Sequence, residues 1–441
     1  MARIAPFRGT RYSAAQVGDL SNAVTLPYDR ITPELQDRYY GLSDYNICRV
    51  IKGKAEEGDN DASNVYTRAA AYWKDWVSRG VVVEDQQPAL YAYYQVFTVD
   101  GRQYTRRGMC AMVELEDYET GGVKPHERTL DAPKQDRFQL LTHTDTHFGQ
   151  IFQLYPDDTN EVAELLAPHC QGAPDVDVEV AEEPGVRHRL WAVTDEATIA
   201  AVQQAMSDRL LFIADGHHRY ETALNYRNHR LKEYAGGPDG HSPKYAMMTL
   251  VGMSDPGLVV LPTHRVLHSL ESFNIGQLTA ALFEHFQVDV GLDRGELDRR
   301  LGEARQDPNR HAFGLYAGGK YTFLELTDQE VMEQLAPDRT PEWRNLDVAI
   351  LHEIVLEKIL GIDKAAQAAK TNLSYERHAD VAVDRVDRGT HQCVLFMNPT
   401  RMAQIREVAG KGEVMPQKST DFYPKLITGA VACRVTLGKK P

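Results

Sequence analysis

Residues 210–224 read Leu-Leu-Phe-Ile-Ala-Asp-Gly-His-His-Arg-Tyr-Glu-Thr-Ala-Leu. An apolar run enters Asp215-Gly216, and a helical pattern opens directly after it. With Gly216 as N-cap, the amides of residues 217–219 have no intrahelical acceptor, and the positive end of the helix dipole adds to them. A helix start of this kind binds anions. His217, His218 and Arg219 suit a di- or triphosphate, and Asp215 is placed to hold a metal ion or orient a nucleophile. At about 100° per residue, Tyr220, Ala223, Leu224, Arg227 and Leu231 share one stripe. His218 and Thr222 fall opposite and His217 and Glu221 flank it, so the polar side chains need not be buried and can ring the helix start. The plainer alternative is a solvated helix start capped by Asp215. Adjacent histidines point apart, which argues against a metal site made of His217 and His218 alone.

Other short constellations gather acids, bases and cations. Pro27-Tyr28-Asp29 follows a strand-like stretch, Pro125-His126-Glu127-Arg128-Thr129 follows a hairpin, and Pro262-Thr263-His264-Arg265 ends a strand. Their plainer readings are a turn and surface charge clusters. Met415-Pro416-Gln417-Lys418-Ser419-Thr420 has the composition of a phosphate-gripping loop, but no Gly-x-x-x-x-Gly-Lys-[Ser/Thr] occurs, and the protein-kinase signature set is missing. His143 and His147 have the i,i+4 spacing of two metal ligands, without the third ligand and base of a zinc hydrolase. His352-Glu353 on a helix reads as structural. No Gly-x-Ser-x-Gly elbow is present, and no cysteine has an activating neighbourhood.

The elements that must position these residues are a mixture. A helix is expected over 63–79, with Ser63 as N-cap and Gly80 past its end. Residues 90–98 and 104–115 form a hairpin turned by Asp100-Gly101. Helices over 134–143 and 194–207, strands over 245–253 and 258–261, and an exposed loop over 236–243 follow. From about residue 270 a second unit is expected: helices 275–286 and 293–304, a hairpin over 312–326 turned by Gly318-Gly319, helix 346–360, strand 392–397 and helix 399–409. No regular βαβ alternation appears, so the pattern points to an α+β protein.

The 441 residues suit two domains, and 49 Lys+Arg against 63 Asp+Glu leave a net charge of −14. That balance provides no footprint for nucleic acid or an anionic membrane. The five scattered cysteines resemble neither a disulfide framework nor a zinc ribbon, and no apolar run has the length of a membrane span. The opening Met-Ala-Arg-Ile-Ala-Pro lacks the apolar core of a signal peptide. A cytoplasmic protein is expected.

Several blocks, in this order, resemble the bacterial family catalogued as domain of unknown function 1015. They are Ile-Ala-Pro-Phe-Arg-Gly at 4–9, Pro-Tyr-Asp at 27–29, Pro-His-Glu-Arg-Thr-Leu at 125–130 with Lys134, Asp136 and Arg137, and Ala-Asp-Gly-His-His-Arg-Tyr-Glu-Thr-Ala at 214–223. Leu-Pro-Thr-His-Arg at 261–265, Leu346-Asp347-Val348 with His352-Glu353, and Met-Pro-x-Lys-Ser-Thr-x-Phe-Tyr-Pro-Lys at 415–425 complete them. The family's Asp-Gly-His-His-Arg segment is similar to the Gly-Cys-His-Arg box of sulfiredoxin and the phosphate-binding box of ParB-like proteins, a scaffold that archaeal free-serine kinases share. His217 stands where sulfiredoxin has its reactive cysteine, which excludes thiol chemistry at this box.

The resemblance implies a ParB/sulfiredoxin-like nucleotide-binding core with an additional mixed α/β domain. Its catalytic region would span 1–268, and residues 269–441 would form a second region whose tail, 391–441, returns to the site. It implies a kinase using ATP or ADP with Mg²⁺ and taking free L-serine or a similar metabolite. Gly216, His217, His218 and Arg219 would hold the nucleotide phosphates. His264, Arg265, Lys418, Ser419 and Thr420 would assist, with Arg265 and Lys418 neutralising the transferred group. Asp215 would hold the metal, and Asp29 or Glu127 would take the acceptor's proton, with His218 at the reacting group. Partners would be a small molecule and a second copy of the chain, without nucleic acid or membrane. Two features depart from the family pattern: Asp421 where an aromatic is usual, and residues 143–147 where an Arg-containing segment is usual. The competing readings are a ParB-like regulatory module that binds nucleotide without phosphorylating a metabolite, and a metal-dependent hydrolase.

Overall fold

In a computed structural model the protein is described over residues 2–126, 131–232 and 242–436. The chain divides into two units: Met1–Val259 together with Pro424–Pro441, and Val260–Tyr423. The sequence division fell at 268/269, with a tail over 391–441 returning to the first region; the observed units meet after Val259, and the segment from Pro424 belongs to the first.

The first unit is built on a nine-stranded sheet. Its strands in chain order are β1 (Ile4–Ala5), β2 (Leu90–Val99), β3 (Arg102–Glu114), β4 (Val123–Lys124), β5 (Ile151–Tyr155), β6 (Val176–Glu179), β7 (Arg187–Val193), β8 (Leu211–Asp215) and β9 (Tyr245–Gly252). The order across the sheet is β4-β8-β5-β9-β3-β2-β7-β6, with β1 beside β3. Pairing is antiparallel except at β4/β8 and β5/β9. The β2–β3 hairpin turns on Asp100 and Gly101, whose φ of 51° and 75° are those of a type I′ turn and match the twist of the strands. Helix α1 (Val65–Ser78) starts at Asn64, not Ser63: the Asn64 side chain accepts from the Tyr66 and Thr67 amides, and Thr67 Oγ1 accepts from Asn64 N–H.

Helices α2 (Asp131–Thr144), α3 (Glu196–Met206) and α4 (His217–Lys232) complete the frame. Tyr220, Ala223 and Leu224 of α4 join the core formed by Met109, Ile151, Ile213 and Met248 of the sheet. The opposite side of α4 is covered too. Thr222 Oγ1 bonds the Lys134 carbonyl at 3.3 Å, Lys134 pairs with Glu221 at 3.1 Å, and Tyr226 donates to Asp145 at 2.5 Å. Thr222 is buried under this second layer and His217 is buried against His126, so neither takes the place in a solvated ring that helical phase left open to it. The histidine pair 143/147 is not on one helix face: α2 ends at Thr144, and Asp145 turns the chain with φ 45°.

The second unit holds six antiparallel strands: β10 (His264–Leu267), β11 (Phe286–Leu292), β12 (Ala312–Ala317), β13 (Lys320–Leu326), β14 (Leu373–Glu376) and β15 (Cys393–Met397). Their order is β11-β13-β12-β15-β10-β14. The helix expected over 275–286 is α5 (Ile275–Leu282), and Phe286 begins an edge strand instead. Helix α6 (Arg294–Arg305) packs Leu297, Leu301 and Ala304 onto Val266, Phe323 and Phe396. The helix expected over 346–360 begins at Asp347 and winds as a π-helix over Leu351–Ile359, which turns both His352 and Glu353 inward. The chain is thus mixed α/β with several sheets. Most of the loop expected over 236–243 lies outside the described residues.

Candidate functional site

In the first unit β8 ends in a bulge between Ile213 and Asp215, and Gly216 follows at φ 94°. The Gly216 carbonyl accepts the first helical bond, from Tyr220 N–H at 2.9 Å, so Gly216 caps α4 as its sequence suggests. The Arg219 side chain folds back over this turn: a Cβ at position 216 would lie 2.9 Å from its Nε and 3.0 Å from its Cζ. Arg219 donates to the Gln150 carbonyl, and its Nη2 lies 3.7 Å from Asp215 Oδ1. On the other carboxylate oxygen, Oδ2, stands Lys425 Nζ at 3.5 Å. Asp215 therefore joins two cations at the amide end of a helix, a cluster of net positive charge suited to an anion. Gly216→Ala combines an unfavourable φ with the Arg219 clash. It is expected to cost about 1–3 kcal/mol, read as a lowered chemical-denaturation midpoint, and to displace Arg219 from Asp215.

His217 points inward. Its Nε2 accepts from His126 N–H at 3.2 Å, and the two rings meet edge to face at 4.7 Å. Burial, then the neighbouring His126, hold the His217 imidazolium well below the ordinary histidine range, and burial pushes His126 down to about 4. Both are neutral at pH 7, so His217 shapes the turn and adds no charge to it. His218 is half-buried on the first turn of α4.

Beside Arg219 lies a cavity lined by Tyr28, Arg137, Phe148, Thr222 and Thr428. Arg137 stacks 4.2 Å above the Tyr28 ring, fixed by Asp136 at 2.8 Å and the Ile51 carbonyl at 2.8 Å. Asp29 is exposed in the turn Tyr28–Arg30. Tyr28, at the start of the Asp29 turn, and Arg219 thus border one cavity, while Glu127 lies outside the described residues.

The metal role expected of Asp215 meets a different environment. Both its oxygens face cations, and among the described residues no group of three or more His, Cys, Asp or Glu is placed to hold a metal ion. The donor set does not fit a resident Mg²⁺.

The remaining expected site residues sit in the second unit, where they form their own cluster. Arg265 is fully buried and donates to His352 Nε2 at 3.1 Å, to the Gln417 and Lys418 carbonyls at 3.3 and 3.2 Å, and to the Thr263 carbonyl. Burial lowers its guanidinium to about 10. Arg265 is an internal brace of the 415–420 loop, and the phosphate-neutralising role expected from sequence gives way to that bracing. His264 is buried against Phe396 and held at about 3 by burial and by Arg265. Lys418 is exposed at φ 57°, Ser419 is tied to the Pro416 and Thr400 groups, and Thr420 is half-buried. Asp421 has a partner of its own, Arg377 at 2.9 Å, both largely buried, so a local cation accompanies the departure from the aromatic pattern.

Sequence reasoning did not single out Lys425, the cation beside Asp215, although it closes the Phe422-Tyr423-Pro424-Lys425 block. It also missed Arg106 and Gln95, whose strand context hid their burial.

A search of curated proteins gives no match. Similar solved structures include a conserved hypothetical protein from Pyrococcus furiosus, at 15% identity over 73% of this chain and 90% of that one, with TM-score 0.32. Others are a free serine kinase in complex with AMP (13%, 72% and 89%, TM-score 0.36) and SbnI with C-terminal truncation from Staphylococcus aureus (12%, 75% and 84%, TM-score 0.31). The family described as "Protein of unknown function (DUF1015)" matches residues 4–349, and the chain belongs to it.

Proposed function

We propose that the protein is a cytoplasmic small-molecule kinase, moving a phosphoryl group from ATP or ADP to the hydroxyl of free L-serine or a similar metabolite. The β8–Gly216–α4 junction is read as the phosphate box of a ParB/sulfiredoxin-like core. The observation that carries the reading is Asp215 set between Arg219 and Lys425 at the open end of α4, next to the cavity behind Tyr28.

Phosphoryl transfer needs little covalent chemistry from the protein; positioning and charge stabilisation supply most of the rate. The first-turn amides and Arg219 bind the phosphates. The cavity seats the acceptor, whose hydroxyl proton goes to a carboxylate, with Asp29 and Glu127 the two candidates. As the hydroxyl oxygen bonds to the phosphorus, the bond to the leaving phosphate oxygen breaks, and the shorter nucleotide departs. His218, on the first helical turn, contacts the phosphates.

Purified protein with ATP or ADP, Mg²⁺ and L-serine is expected to yield O-phosphoserine by mass spectrometry. His218→Ala is expected to lower turnover at least 100-fold with an unchanged melting curve. Nucleotide binding in calorimetry without any phosphorylated product, across a panel of amino and hydroxy acids, would overturn the kinase reading and favour a regulatory module.

A further inference from the structure

Lys425 reaches Asp215 from a segment with no regular secondary structure, so something must hold that segment in place. The holding groups are buried polar side chains of the central hairpin. Arg106 on β3 is 1% exposed. Its Nε donates to Gln95 Oε1 at 2.9 Å, its Nη2 donates to the Pro424 carbonyl at 2.6 Å, and its Cζ lies 4.8 Å above the Phe152 ring. Gln95 Nε2 donates to the Lys425 carbonyl at 2.9 Å. Tyr93 Oη accepts from Ile427 N–H at 3.4 Å and shares a 2.8 Å bond with His188 Nδ1. Residues 424, 425 and 427 are thus each pinned through the backbone, and the Lys425 ammonium is directed at Asp215.

An apolar contact would anchor this segment at lower cost, because a buried guanidinium gives up much of its hydration. What the charged, forked donor adds is direction: two fixed N–H vectors set both Gln95 and the Pro424 carbonyl, and these set Lys425. We infer that Lys425 is an anion-binding residue of this site and that Arg106 is a positioning residue acting through it, by way of the Pro424 carbonyl and Gln95. The inference rests on the reading of the α4 start as a phosphate site and adds a tail-borne cation to it.

The test is a double-mutant cycle read by calorimetry, with inorganic triphosphate and with ATP as probes, on the full chain. Lys425→Gln is expected to weaken triphosphate binding about 10-fold or more, as loss of a charge-assisted hydrogen bond does, and Lys425→Arg to recover most of it. Arg106→Lys keeps the charge but cannot span both acceptors. It is expected to weaken binding several-fold in the parent and to have no further effect in the Lys425→Gln background. If Arg106→Lys does not fold, Gln95→Leu takes its place in the cycle. Equal losses in both backgrounds, or unchanged binding in Lys425→Gln, would overturn the inference. Triphosphate binding that depends on Lys425, without ATP turnover, defeats the kinase reading alone. Turnover that ignores Lys425 defeats this inference alone. Binding of neither probe defeats both.

Discussion

A chain ending at Tyr423 is expected to lose the folded first unit altogether. Residues 424–436 cross that unit as a strap: Thr428 and Thr25 exchange both backbone bonds, as do Ala432 and Thr10, and Val435 N–H reaches the Asp145 carbonyl. Cys433 and Arg434 pair with His147 and Thr146. Leu426, Ile427, Val431 and Val435 are buried. At about 1.5–3 kcal/mol for each such side chain, their loss removes about 6–12 kcal/mol, comparable to the roughly 5–15 kcal/mol stability of a whole domain. Truncation also strips Arg106 and Gln95 of one buried carbonyl acceptor each, which leaves buried donors short of a partner and adds to the loss. The measurement is near-UV circular dichroism and solubility of the shortened chain, with Ile427→Asp as a point variant of the same contact. A truncated protein melting within a few degrees of the parent would show that the strap is dispensable.

The second large effect is acid lability. In the first unit burial pushes His126 and His147 down to about 4 and His188 to about 3, and holds His217 well below its ordinary range. Between roughly pH 6.5 and those values the unfolded chain binds a proton at each histidine that the folded chain does not. Stability therefore falls as pH falls through this window, by up to about 1.4 kcal/mol per pH unit for each histidine. Asp255, whose carboxyl burial raises, works in the opposite direction, one group against four. Denaturation midpoints are expected to be steady from pH 8 to 7 and to drop steeply below 6. His147→Asn is expected to flatten the slope. A midpoint unchanged between pH 7 and 5 would contradict the buried neutral assignment.

How much of this was legible in the sequence depended on whether the signal was local. Asp100-Gly101 between two β-rich runs specified a hairpin because only a type I′ turn fits its φ angles. Asp215-Gly216 before a helical pattern likewise located the anion-binding turn, since capping is a property of neighbouring residues. Strand β7, Arg-His-Arg-Leu-Trp-Ala-Val, was not legible: its charged residues mask an inner position between β2 and β6 that only the sheet order reveals. The burial of His217 against His126 and of Thr222 under the second helix layer lay outside what helical phase describes, which is one face at a time. Arg265 read as a free cation because composition cannot tell a guanidinium facing solvent from one satisfied by loop carbonyls. Lys425 was part of a recognised block, yet its partner lies far back in the chain, and no spacing rule links the two.

The strap also fixes an order of assembly during synthesis. Residues 424–436 leave the ribosome after the whole of the second unit, so the first unit waits for its closing segment while 260–423 is being made. At about 5–20 residues per second, that delay is of the order of ten to thirty seconds. The later-encoded unit is contiguous and can close first, whereas the sheet begun at Ile4 stays open at the face the strap covers. During that interval the unfinished first unit is expected to expose apolar strand surface of the kind that favours aggregation, so the yield of soluble protein is expected to vary with the rate of translation through 260–423.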